Sequence, residues 1–67
     1  VKAGVPDLFL PVARRGYNGL FIELKYGSNK ATPKQKEWIN NLNAQGYKAV
    51  VCNGFDEARL TIEEYIR

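Results

Sequence analysis

Histidine is absent from the 67 residues, which removes every mechanism that relies on imidazole as base or metal ligand. Cysteine occurs once, as Cys52, so no internal disulfide can form and no cysteine-based zinc site is available. No apolar run approaches the roughly 20 residues that a bilayer-spanning helix needs. No signal-peptide pattern opens the chain, and an intracellular protein is the expectation. Internal repeats, linkers and low-complexity segments are also missing. Acids are scarce in the first half: residues 1–36 carry seven Lys and Arg against two acids, and residues 37–67 carry three against five. The net charge of +3 is small, but its uneven distribution gives one half a surface suited to an anionic partner such as nucleic acid. Surface lysines that merely keep a small protein soluble would give the same count. What is present in quantity is apolar residues, 45% of the chain, enough for a core and too many for a disordered tail. At this length the chain makes one domain, residues 1–67, with a modest core.

The elements read from the N-terminus as follows. "VKAGVPDLFLPV" is apolar and bracketed by Pro6 and Pro11, which fits a strand from about Asp7 to Leu10. Gly16, Asn18 and Gly19 supply turn residues, and a second strand runs from about Leu20 to Tyr26, most simply as an antiparallel hairpin. "TPKQ" announces a helix, with Thr32 as N-cap, Pro33 at the first position and Gln35 three after the cap. Trp38, Ile39 and Leu42 continue a helical stripe that starts at Gln35, and Gly46 ends it. "YKAVVCN" is a short strand. Asp56 is placed to cap a last helix with Ala58, Ile62, Tyr65 and Ile66 on its apolar side, and Phe55 and Leu60 to staple its start. The order β-β-α-β-α, with a helix crossing between the second and third strands, predicts a mixed sheet covered by helices, an α/β architecture.

Chemistry concentrates in the second strand. Alternation puts Glu23 and Lys25 on one face with Phe21, and Leu20, Ile22, Leu24 and Tyr26 on the other. Alone, the pair reads as an ordinary solvent-facing ion pair. Hairpin pairing brings Asp7 near Glu23, and two carboxylates beside an ammonium suit a hard divalent cation in phosphoryl chemistry. Lys25 could stabilise developing negative charge or accept a proton. Gln35 lies on the inner face of its helix, though it could be no more than half of a capping box. Trp38 reads as core. Arg14 and Arg15 at the hairpin turn, with Lys30, Lys34 and Lys36 around the helix start, are candidate phosphate contacts, aided by the helix N-terminus. Each could equally be solvated surface. Tyr17 is placed to stack on an unpaired base, although an exposed turn tyrosine needs no such explanation.

Gly4-Val5-Pro6-Asp7, Glu23-x-Lys25 and Gln35-x-x-Trp38, in that order on these elements, resemble the PD-(D/E)xK nuclease superfamily. Within it they look most like the VRR-NUC family of virus-type replication-repair nucleases, over nearly the whole chain from Lys2 to the final helix. The resemblance implies a restriction-endonuclease-like α/β core and DNA phosphodiester cleavage with Mg²⁺ or Mn²⁺. It assigns metal binding to Asp7, Glu23 and the backbone carbonyl of Leu24, and the catalytic lysine to Lys25. To Gln35 it gives the orienting of the lysine or of a phosphate. Single-domain members resemble Holliday-junction resolvases, which implies branched DNA as substrate, work as homodimers, and a place in repair or recombination in bacterial or phage-infected cytoplasm. The family core usually begins with a glutamate-bearing helix and a further strand, which are expected to be missing here. A non-catalytic nucleic-acid-binding module is the alternative, and an interaction domain with no nucleic-acid role is a third reading.

Overall fold

A computed structural model describes residues 4–67. Lys2, where the resemblance begins, lies outside the described residues. Five elements follow in the expected order: β1 (Leu8–Leu10), β2 (Leu20–Lys25), α1 (Pro33–Ala44), β3 (Lys48–Asn53) and α2 (Phe55–Ile66). The sheet order is β1-β2-β3, with β1 antiparallel and β3 parallel to the central β2. This is the mixed α/β sheet that the crossover requires.

The register sorts β2 by chemistry. Leu20 pairs with Lys48, Ile22 with Val50 and Leu24 with Cys52, so these share one face. That face packs on α2. Leu20, Ile22, Cys52, Ala58 and Tyr65 form the buried cluster, with Leu10, Leu24, Val50 and Ile62 packed against it. Removing such side chains from water is the main favourable term in holding the domain together. The other face of β2 carries Phe21, Glu23 and Lys25 and looks toward α1. Near its start, Phe21 stacks on Phe9 with ring centroids 4.3 Å apart and meets the edge of Tyr47 at 5.3 Å. The α1-side face therefore has an aromatic half at the start of β2 and an ionic half at its end.

Helix α1 begins as its sequence dictates. The Thr32 hydroxyl accepts the Gln35 N–H at 3.2 Å, and Gln35 Oε1 accepts the Thr32 N–H at 2.9 Å, completing a capping box with Pro33 at the start. Trp38, Ile39 and Leu42 are half-buried rather than buried. Two expectations fail at α2. Gly54, not Asp56, is the N-cap, with no side-chain bond. The Gly54 N–H is held by the Lys25 carbonyl at 2.7 Å, so the chain enters the helix directly from the end of β3. Asp56 sits instead in the first turn, where its charge favours the helix dipole. Phe55 and Leu60 are 68% and 55% exposed, so no staple forms. Ile66, expected on the apolar side, is also exposed.

Candidate active site at the end of β2

Strand β1 is one residue shorter than its sequence suggests, and Asp7 stands just before it. With Leu8 opposite Ile22, the next step backward along β1 brings Asp7 opposite Glu23. Strand pairing has ended there, and Asp7 Oδ2 takes over as acceptor for the Leu24 N–H at 2.9 Å. A residue's N–H and C=O point to the same edge of its strand, so the Leu24 carbonyl faces the Asp7 side as well.

Glu23 is buried, at 3% exposure, under the first turns of α1. Its Oε2 accepts from Gln35 Nε2 at 3.2 Å and lies 3.6 Å from Lys25 Nζ. Its Oε1 is buried with no hydrogen-bond partner. Burial raises the Glu23 carboxyl above its ordinary range; the adjacent Asp7 carboxyl pushes it further up, and Lys25 pulls it partly back. Gln35 joins the site through Glu23: its carbonyl serves the cap and its amide serves the acid. Asp7, Glu23, Lys25 and Gln35 are thus brought together by three elements. Among the described residues no three His, Cys, Asp or Glu side chains cluster as metal ligands. A cation here would draw on two carboxylates, the Leu24 carbonyl and water. The orphaned Oε1 and the mutual repulsion of the two acids fit that role, because a hard cation relieves both.

The basic residues divide. Lys30, Lys34 and Lys36 are exposed around the start of α1, the same end of the helix from which Gln35 reaches Glu23. Arg14 and Arg15 lie at the hairpin turn before β2, whose six residues span roughly 20 Å, and so at the opposite end of the sheet.

Two contributors escape a reading of residue types. A Cβ on Gly4 would stand 2.8 Å from Trp38 Cδ1 and 3.0 Å from the Lys34 backbone, at a φ of +90°. Gly4 thus lets the chain lie against Trp38 and the first turn of α1 just before Asp7. Only its place in the Gly-Val-Pro-Asp string signals this. Asn43 bonds both backbone groups of Ala49, donating to its carbonyl at 3.1 Å and accepting its N–H at 2.9 Å. It thereby pins α1 to the open edge of β3.

The VRR-NUC domain family model matches residues 1–56. The chain belongs to the VRR-NUC family. A solved structure described as a VRR_NUC domain protein superposes with a TM-score of 0.94 at 51% identity, covering 98% of this chain and 55% of its own. The chain therefore spans about half the length of that structure. No curated protein matches it. Membership brings the nuclease fold with it; of the strings quoted above, Gly4-Val5-Pro6-Asp7 leads directly into β1, Glu23-x-Lys25 lies on β2 and Gln35-x-x-Trp38 on α1.

Proposed function

We propose that this VRR-NUC chain hydrolyses DNA phosphodiester bonds with a divalent cation, Mg²⁺ or Mn²⁺, held by Asp7, Glu23 and the Leu24 carbonyl. The observation that carries this reading is the buried Glu23 Oε1 without a partner, beside a second carboxylate and a lysine. A buried acceptor left unmade costs about 1–3 kcal/mol, and such a group calls for an explanation, of which a bound ion is one. When bound, the cation supplies Lewis acidity toward a phosphoryl oxygen and lowers the pKa of water. The chain's own residues do the rest. Gln35 fixes the Glu23 carboxylate, and Lys25 places an ammonium where negative charge builds on the phosphate. Lys30, Lys34 and Lys36, with the N–H groups at the start of α1, hold the phosphate backbone without reading sequence.

Branched DNA is the proposed substrate, with two copies of the chain acting as a homodimer inside the cell. A monomeric mass in solution at micromolar concentration would count against the dimer. The absence of a third ligating side chain among the described residues favours one competing reading, a nucleic-acid-binding module that keeps the fold without the chemistry. Labelled four-way junctions and linear duplexes, incubated with Mg²⁺, Mn²⁺ or EDTA beside Lys25→Ala, separate the two. Metal-dependent cutting that is lost in the variant supports the nuclease, and the same gel reports junction preference. Salt-sensitive binding without cutting supports the module.

A further inference from the structure

The hairpin turn at the far end of the sheet carries its own cluster of cations around a tyrosine. Arg15 and Gly16 both have positive φ, +53° and +83°. Arg14 and Tyr17 exchange backbone hydrogen bonds of 3.2 and 2.8 Å around them, which makes a type I′ turn. Asn-Gly suits that turn, whereas an arginine in the left-handed region is strained. The arginine is held there from a distance: Arg15 Nε donates to the Glu64 carbonyl at 3.0 Å, in the last turn of α2. Its terminal nitrogens have no protein partner among the described residues.

Tyr17 is built as a platform. The residue is 37% exposed and its ring leans on Tyr65, centroids 6.4 Å apart. Tyr65 is 1% exposed, and its hydroxyl donates to the Val12 carbonyl at 2.6 Å, so the backing is rigid. Lys48 Nζ sits over the face of the Tyr17 ring, 5.8 Å from its centroid. Arg15, Tyr17, Lys48, Glu64 and Tyr65 line a hollow of about 300 Å³. Glu64 is the one acid in it, and no carboxylate within 4 Å pairs with Arg14, Arg15 or Lys48 among the described residues.

We propose that this turn is a second nucleic-acid subsite, which takes an unpaired nucleotide with its base on Tyr17 and its phosphates on Arg14, Arg15 and Lys48. The proposal rests on the reading of the chain as a DNA-acting protein. A base takes the place over the ring that the flexible Lys48 ammonium holds in the free chain, and the displaced ammonium and the two arginines meet the phosphates on either side of that base. An acidic protein surface would use the cations and leave the backed ring without a role. Lys48 lies on the α2 side of the sheet and Glu23 on the α1 side, at opposite ends of β2. The strand held at Tyr17 is therefore not the segment positioned for cleavage; it is an unpaired part of the same branched substrate.

Fluorescence anisotropy with a labelled single-stranded oligothymidylate, and with a duplex of equal length, tests this in EDTA so that no cutting intervenes. Tyr17→Ala should weaken single-strand binding about tenfold, within the range set by losing one stacked base. Tyr17→Phe should retain it, and duplex binding should change little. Arg14→Ala combined with Lys48→Ala should lower the salt slope by about 1.4, two phosphates on a single strand. Unchanged single-strand binding by folded Tyr17→Ala, checked by its thermal melt, would overturn the subsite while junction cleavage stood. Failure of the wild-type chain to bind either oligonucleotide would overturn the subsite together with the DNA reading.

Discussion

Replacing Glu23 by glutamine should make the metal-free protein more stable at neutral pH, against the usual cost of altering a buried residue. The carboxyl is raised by burial and by Asp7, so the folded chain holds its proton to higher pH than the unfolded chain does. Below the ordinary carboxylate range both states are protonated and the group contributes nothing. As pH rises, the unfolded chain ionises first, and stability falls until the folded-state group has ionised too. Above that window the penalty is fully present. Glu23→Gln mimics the protonated acid: its oxygen still accepts from Gln35, and its amide faces Asp7. The relieved cost is that of an unpaired buried acceptor, about 1–3 kcal/mol, and the lost 3.6 Å contact to Lys25 returns part of it. A net gain of about 1 kcal/mol corresponds to roughly 4–8 °C in a domain of this size. Thermal melts from acid to pH 8 read the effect directly. The variant should melt higher than wild type at pH 8, and the two should converge in acid. Added Mg²⁺ at about ten times its dissociation constant should return about 1.4 kcal/mol to wild type alone. A variant that melts lower than wild type at pH 8 without metal would refute the reasoning.

Three further outcomes follow from contacts already described. Gly4→Ala should lose about 1–3 kcal/mol, because its Cβ would press on Trp38 and the Lys34 backbone at a φ that disfavours it; a denaturant titration checks this. Asn43→Ala should cost about 1–3 kcal/mol by stripping both groups of Ala49 of partners. It should also speed aggregation, since the Ala49 groups on the edge of β3 are then unpaired, and light scattering reports that. Tyr65→Phe should cost about 1 kcal/mol or somewhat more through the lost bond to Val12, with the ring packing kept; chemical denaturation measures it.

What the sequence discloses depends on the reach of each interaction. The start of α1 is local, so Thr32, Pro33 and Gln35 reveal it, and the capping box forms as read. The convergence of Asp7 on Glu23 spans sixteen residues of chain. It is still legible, because a short connection leaves an antiparallel hairpin as the simplest outcome and pairing then carries position across strands. The beginning of α2 misleads, because Asp56 is a good cap by type, yet the backbone bond from Gly54 to Lys25 decides where the helix opens. Asn43 on Ala49 and Arg15 on Glu64 are invisible in principle. Each joins a side chain to a backbone group whose position the fold alone determines. The role of Gln35 lies between these cases: its place at the cap is legible, but its second bond, to Glu23, depends on how α1 settles over β2.

The division of β2 explains why such a small domain can hold an uncompensated acid at all. Its α2-side face is apolar throughout and carries the buried cluster, so stability is gathered there. The first half of its other face is locked by Phe9, Phe21 and Tyr47. Only the last positions of that face, Glu23 and Lys25, are left for charge, and α1 reaches them through one amide while Gly4 lets the chain lie against α1 just before Asp7. Moving the acid one residue along β2 would place it among Leu20, Ile22 and Cys52, with neither lysine nor Gln35 in reach. Glu23 is tolerated because the strand's alternation confines it to the single face where partners from three elements meet, and its remaining free oxygen is the feature that a bound cation would complete.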